Sequence, residues 1–135
     1  MGTGPHILLA DDEAHVVLIL ARRLAAEGYR LTEASNGREA LEAARREAPD
    51  LIITDLQMPQ MTGLELALAL REDPRTAAAP LIMLTGRGYT VDPETLAQTN
   101  IRELRSKPFS ARTIVQLVGE ILGTDRAVPV SSRAA

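Results

Sequence analysis

The sequence predicts one α/β domain in which five short strands alternate with five helices. Three observations carry this. Apolar runs of four to six residues recur along the chain and are separated by longer stretches of helical period. Helix-boundary chemistry falls between those runs. The 135 residues fit one domain and a tail, given roughly 100–200 residues per domain.

The first strand is Ile7-Leu8-Leu9-Ala10 and the third is Leu51-Ile52-Ile53-Thr54, continuous apolar runs that end at Asp and suit burial on both faces. Leu81-Ile82-Met83-Leu84-Thr85 forms the fourth in the same way. Arg30-Leu31-Thr32-Glu33-Ala34 is mixed, and Ile101-Arg102-Glu103-Leu104-Arg105-Ser106 carries three charges, so both belong at or near an edge. In the first helix Val17, Leu20, Ala21 and Leu24 share a face, and Gly28 is its stop. Asn36 with Glu39 opens the second helix. Thr62-Gly63-Leu64-Glu65 is an S/T-x-x-E capping box for the third. That box, together with the absence of β-branched residues, assigns the alternating Leu64–Leu70 stretch to helix. Asp92-Pro93 is an N-cap followed by proline at the first helical position. The last helix starts at about Ser110 and buries Ile114, Leu117, Val118 and Ile121.

Successive βα units imply parallel strands joined by right-handed crossovers, and such sheets bind ligands at the carboxyl ends of their strands. Residues 1–123 form this domain, and residues 124–135, small or polar without sustained period, read as a flexible C-terminal tail.

Composition removes several classes of function. Cysteine and tryptophan are absent and only three aromatics are present, which excludes a disulfide framework, a thiolate metal site and a stacking platform for bases. A net charge of −3 without a basic stripe argues against direct nucleic-acid binding. No apolar run approaches the ~18 residues of a membrane span, and the first residues lack the core of a signal peptide, so a cytoplasmic protein without membrane association is expected.

Polar residues at the strand ends converge in a parallel sheet. They are Asp11 and Asp12 after the first strand, Asp55 at the end of the third, Thr85 at the end of the fourth and Lys107 at the end of the fifth. Neighbouring carboxylates repel by ~4 kcal/mol per pair at an effective dielectric of ~20, so the cluster requires a cation or a proton. Oxygen ligands without sulfur or paired histidines suit Mg²⁺ or Mn²⁺. A cation, an ammonium and a hydroxyl around a central carboxylate are equipped to receive a phosphoryl dianion, and a carboxylate can accept it as an acyl phosphate. Asp55, alone at the end of a buried strand, is the candidate nucleophile.

The pieces Ile7-Leu8-Leu9-Ala10-Asp11-Asp12-Glu13, Asp55-Leu56-Gln57-Met58-Pro59 with Gly63, Leu84-Thr85-Gly86 and Lys107-Pro108-Phe109 occur in order, each at the end of its own strand. In this the sequence resembles the response-regulator receiver domains of two-component signalling, over roughly residues 5 to 123. The resemblance implies a flavodoxin-like (βα)5 three-layer sandwich with sheet order 2-1-3-4-5. It also implies Asp55 as phosphoacceptor, Asp12, Asp55 and the Gln57 carbonyl as direct metal ligands, and Asp11 acting mainly through water. Thr85 and Lys107 would hold phosphoryl oxygens, and the Lys107-Pro108 bond would be cis. The implied partners are a histidine kinase or phosphotransfer protein and a downstream protein bound at the face of the fourth helix, fifth strand and fifth helix, where Arg102 and Arg105 would sit. Homodimerisation stays open, as does whether the domain stands alone or was cut from a longer chain.

Asp11-Asp12-Glu13 alone could be a helix cap with first-turn acids. His6 and His15 lack metal-ligand spacing. Gly2-Thr3-Gly4 and Gly86-Arg87-Gly88 fall short of a dinucleotide fingerprint and read as loops. One departure concerns output: Leu104 stands three residues before the lysine, where many receivers carry an aromatic, which leaves three alternatives open: leucine switching between exposed and buried packing, Tyr89 substituting from the loop, or weak coupling. Gln57 and Arg87 occupy positions that tune phosphoryl lifetime in the family. Two rival functions are a phosphorylation-independent interaction module and a Mg²⁺-dependent phosphatase with an aspartyl-phosphate intermediate. The second is disfavoured because Gln57, not an acid, stands two residues after Asp55.

Overall fold

A computed structural model describes residues 4–86 and 91–123. The strands are β1 (His6–Ala10), β2 (Arg30–Ala34), β3 (Leu51–Asp55), β4 (Leu81–Thr85) and β5 (Ile101–Ser106). The helices are α1 (Ala14–Ala26), α2 (Gly37–Arg46), α3 (Gly63–Glu72), α4 (Pro93–Ala97) and α5 (Ala111–Leu122). All strand pairs are parallel, in the order β2-β1-β3-β4-β5. The expectations for the tail at 124–135, for Arg87 and Tyr89, and for most of both Gly-x-Gly stretches lie outside the described residues.

The three apolar strands and the two charged ones behave as their composition demands. Every residue of β1, β3 and β4 is buried, while the charged strands β2 and β5 occupy the two edges. Strand alternation sends Ile7, Leu9, Leu51, Ile53, Ile82 and Leu84 into a layer shared with α1 and α5. The intervening Leu8, Ile52, Leu81 and Met83 enter a second layer with α2 and α3. Helix–sheet–helix sandwiching is the result, as expected for a parallel sheet.

The helix markers hold with two exceptions. Thr62 and Glu65 form the full reciprocal capping box. Asn36 accepts from the Glu39 N–H at 2.8 Å, although the Glu39 carboxylate turns to the Ser35 N–H instead of closing the box. Gly28 follows α1 at φ 96°, a left-handed value that a side chain resists. Asp92, by contrast, gives α4 no side-chain cap: that helix has only five residues and none is buried. Ile121 is partly rather than fully buried, lying in the last turn of α5 at the end of its apolar stripe. The Lys107-Pro108 bond is cis.

Candidate functional site

Adjacent strand ends bring the site together. Asp55 pairs in register with Leu84, and Thr85 with Ser106, so β3, β4 and β5 finish side by side. The chain leaving β1 is fixed by the Asp11 N–H bond to the Ala34 carbonyl, and that leaving β5 by the Lys107 N–H bond to the Thr85 carbonyl at 2.7 Å. The loop after β3 is held by the Gly63 N–H on the Leu56 carbonyl at 2.8 Å. A Cβ at Gly63 would collide with the Asp55 carbonyl, so only glycine lets α3 approach the strand end this closely.

Asp11, Asp55 and Thr85 are buried, whereas Asp12 and Gln57 are exposed. Carboxylate oxygens of Asp11, Asp12 and Asp55 all lie within 4.8 Å of one another. The Lys107 Nζ reaches into the same space, 3.0 Å from Asp11 Oδ2 and 3.5 Å from Asp55 Oδ1. Lys107 therefore meets Asp11 and Asp55 within ion-pair distance, Asp12 joins the same carboxylate cluster, and Thr85 sits one strand over from Asp55.

A contact absent from the sequence expectations is the shortest that the Lys107 ammonium makes to the carboxylates around it. Glu13 Oε1 accepts from Lys107 Nζ at 2.6 Å. Nothing in the spacing signals it, since the partners are 94 residues apart. The reading of Asp11-Asp12-Glu13 as a plain helix cap does not hold. Glu13 occupies the α1 N-cap without a side-chain cap bond, the first turn has no acid, and Asp11 Oδ1 accepts the Glu13 N–H instead.

Electrostatics follow from burial and crowding. Burial, then the neighbouring Asp11 charge, push the Asp55 carboxyl up to about 6 against the pull of Lys107. Burial works against the Lys107 ammonium, yet the hydrogen bonds to Glu13 and Asp11 and the fields of Asp11 and Asp55 hold its pKa well above the usual lysine range. The hydrogen bond to Lys107, and then its charge, lower the Glu13 carboxyl. Asp55 is thus strained in its charged form by the cluster around it. Three clustered carboxylates with no sulfur or imidazole among them fit a hard divalent cation such as Mg²⁺ or Mn²⁺.

Elsewhere, His6 is buried at the opposite end of β1, with its Nε2 and the Thr32 hydroxyl hydrogen-bonded at 2.6 Å. It has no part in the site, and exposed His15 is likewise outside the carboxylate cluster. Leu104 is half-buried against the α2–α3 layer. Arg102 is exposed, whereas Arg105 is partly buried and paired with Glu103 at 2.9 Å. Among the described residues no helix is long and apolar enough to cross a membrane.

Comparison with known proteins agrees with this geometry. The family model of the response regulator receiver domain matches residues 7–119. The alkaline phosphatase synthesis transcriptional regulatory protein PhoP of Bacillus subtilis is 34% identical over 126 residues, which cover 93% of this chain and 52% of PhoP. The transcriptional regulatory protein SrrA of Staphylococcus aureus is 35% identical over 124 residues, 92% of this chain and 50% of SrrA. The chain thus spans about half the length of the curated relatives it matches. Among solved structures, the chemotaxis response regulator CheY4 of Vibrio cholerae superposes with a TM-score of 0.80 at 28% identity, covering 88% of this chain and 99% of that one. The receiver domain of the sensor histidine kinase PA1611 from Pseudomonas aeruginosa, solved with a magnesium ion coordinated in its active-site cleft, gives 0.78 at 26% identity over 90% and 99% of the two chains. The chain belongs to the response regulator receiver domain family.

Proposed function

We propose that this domain accepts a phosphoryl group on Asp55 from the phosphohistidine of a histidine kinase or phosphotransfer protein, and changes conformation as a result. The observation that supports this best is the convergence of Lys107 and the Asp11, Asp12 and Asp55 carboxylates at the carboxyl end of the sheet. An Asp55 oxygen attacks phosphorus as the phosphorus–nitrogen bond of the donor breaks, and the bonding pair leaves with the imidazole. Lys107 then turns its ammonium to a phosphoryl oxygen, and the Thr85 hydroxyl donates to another.

Asp11, Asp12 and Asp55, with the Gln57 carbonyl, would hold Mg²⁺ or Mn²⁺. The cation, when bound, offsets the repulsion among the carboxylates and neutralises charge on the transferring group. The burial that raises the Asp55 pKa also keeps bulk water from competing at the carboxylate. A downstream protein binds at the α4–β5–α5 face, which carries Arg102, and the domain acts in the cytoplasm without touching nucleic acid itself. To move such a partner-binding state from 1:99 to 99:1, phosphorylation must favour it by ~5.5 kcal/mol.

Incubation with Mg²⁺ and phosphoramidate, followed by intact-mass measurement, tests the assignment. Wild type should gain one phosphoryl group and Asp55→Asn none. Equal labelling of the two proteins, or an unlabelled wild type, would refute it.

A further inference from the structure

The Lys107 ammonium has three N–H donors, and in this structure their nearest acceptors are all carboxylates. Glu13 Oε1 lies at 2.6 Å, Asp11 Oδ2 at 3.0 Å and Asp55 Oδ1 at 3.5 Å. The tightest partner is thus the one outside the carboxylate cluster. Glu13 is 47% exposed at its side chain and Lys107 19%, so the pair sits at the mouth of the site with the ammonium end directed inward. Glu13 is also not engaged in capping α1, although it occupies the N-cap, and the other oxygen of its carboxylate lies 3.9 Å from His15 Nε2.

These contacts set up a competition. Two of the three donors are held by Glu13 and Asp11, so drawing the ammonium fully onto phosphoryl oxygens at Asp55 loosens at least one of those bonds. A divalent ion held by the carboxylate cluster would compete with Lys107 for Asp11, and Glu13, outside that cluster, would remain as the lysine's partner.

We propose that Glu13 is a positioning residue for Lys107, a tether that competes with the phosphoryl oxygens for the ammonium and so limits the stability of the phosphorylated form. The proposal rests on Asp55 as the acceptor. It predicts that loosening Glu13 strengthens, rather than weakens, the binding of a phosphoryl mimic.

Beryllofluoride binding at saturating Mg²⁺ provides the test, measured by calorimetry on wild type, Glu13→Gln and Glu13→Asp. Saturating Mg²⁺ removes any contribution from altered metal affinity. Glu13→Gln should bind beryllofluoride roughly 1.4- to 5-fold more tightly, the range that exposed ion pairs span. Glu13→Asp keeps the charge but shortens the reach, so it should shift in the same direction. Backbone NMR spectra of the three proteins check that each is folded. Unchanged or weaker binding by Glu13→Gln would overturn the tether. So would a Glu13→Asp protein that matches wild type, because charge alone, not the contact, would then be acting. Absence of beryllofluoride binding in wild type would remove the Asp55 assignment and the tether together, whereas tight wild-type binding without a gain in Glu13→Gln removes only the tether.

Discussion

Asp55→Asn should make the metal-free protein more stable at neutral pH, even though it removes the residue on which the proposed chemistry depends. Asp55 is 5% exposed, and its carboxyl is pushed from 3.8 up to about 6, first by burial and then by the Asp11 charge, against the attraction of Lys107. A shift of about two units at ~1.4 kcal/mol per unit sets an upper bound of ~3 kcal/mol on the cost of ionising Asp55 in the fold. Asparagine removes that charge but leaves an amide to be satisfied in the same place. A gain of about 1–3 kcal/mol is therefore expected in EDTA at about pH 7.5.

The pH dependence has a definite sign. The unfolded carboxyl ionises near 3.8 and the folded one near 6, so within that window the native state binds more protons. Wild-type stability from this group then falls as pH rises, and the penalty is complete above the folded value. Glu13, Glu47 and Asp73 behave oppositely, their carboxyls being lowered chiefly by hydrogen bonds to Lys107, Arg30 and Arg75. What they contribute is lost as pH falls through their folded values. Glu47 and Asp73 lie away from Asp55, so their losses are shared by both proteins and largely cancel in the difference. The advantage of Asp55→Asn should thus be widest at neutral pH and should close toward about pH 4. Urea unfolding followed by far-ultraviolet circular dichroism suits a chain without tryptophan. Saturating Mg²⁺ should reverse or narrow the gap, since ligand at 100 times its dissociation constant adds ~2.7 kcal/mol to the protein that keeps its full ligand set. A variant no more stable than wild type in EDTA at neutral pH, or one whose advantage persists undiminished in acid, would refute the account of Asp55.

Gly63→Ala should destabilise the fold by about 1–3 kcal/mol in urea, because the added methyl meets the Asp55 carbonyl and lies 2.9 Å from Met83 Sδ. Since that collision moves the backbone of Asp55 itself, phosphoramidate labelling should slow as well; normal stability with normal labelling would show that the close approach is dispensable. Thr62→Ala removes the α3 capping box, in which the Thr62 hydroxyl accepts from the Glu65 N–H at 3.1 Å. It should cost ~1 kcal/mol in urea unfolding, and a loss below a few tenths would contradict the cap's role.

Strand identity was legible because burial on both faces demands uninterrupted apolar runs, and Leu51–Thr54 and Leu81–Thr85 supply them. The edges were legible because charge in Arg30–Ala34 and Ile101–Ser106 is tolerated only where one side of the strand is open. Parallel pairing followed from the βα alternation, but the order 2-1-3-4-5 required the family resemblance, since apolar runs do not specify their neighbours. At helix ends, Thr62 could be read because its capping partner is three residues away. Asp92 misled because a five-residue helix with no buried face has little to fix its entry geometry. Asp11 and Lys107 were placed correctly by strand-end logic. The Glu13–Lys107 bond was invisible to it, because the contact depends on two long side chains spanning separate loops and on no local period.

That unread contact changes how the charges of the site balance. Lys107 is shared among Asp11, Glu13 and Asp55, with Asp12 in the same carboxylate cluster, and its pull does not offset the burial, and then the Asp11 charge, that raise the Asp55 pKa. A divalent cation would bring the cluster closer to neutrality, but on the proposed function a phosphoryl group on Asp55 would add negative charge again and leave Lys107 as the mobile cation able to answer it. The lysine cannot serve Glu13 and the phosphoryl oxygens equally. Its backbone N–H is meanwhile fixed to the Thr85 carbonyl at 2.7 Å, so redistribution of its ammonium occurs beside the β4–β5 junction. Leu104 lies on β5, half-buried and without the bulk of an aromatic ring, three residues before that lysine. Under the proposed function, a conformational signal leaving this site along β5 would pass through the aliphatic packing of Leu104 and the exposed side chain of Arg102, since no aromatic stands on that strand.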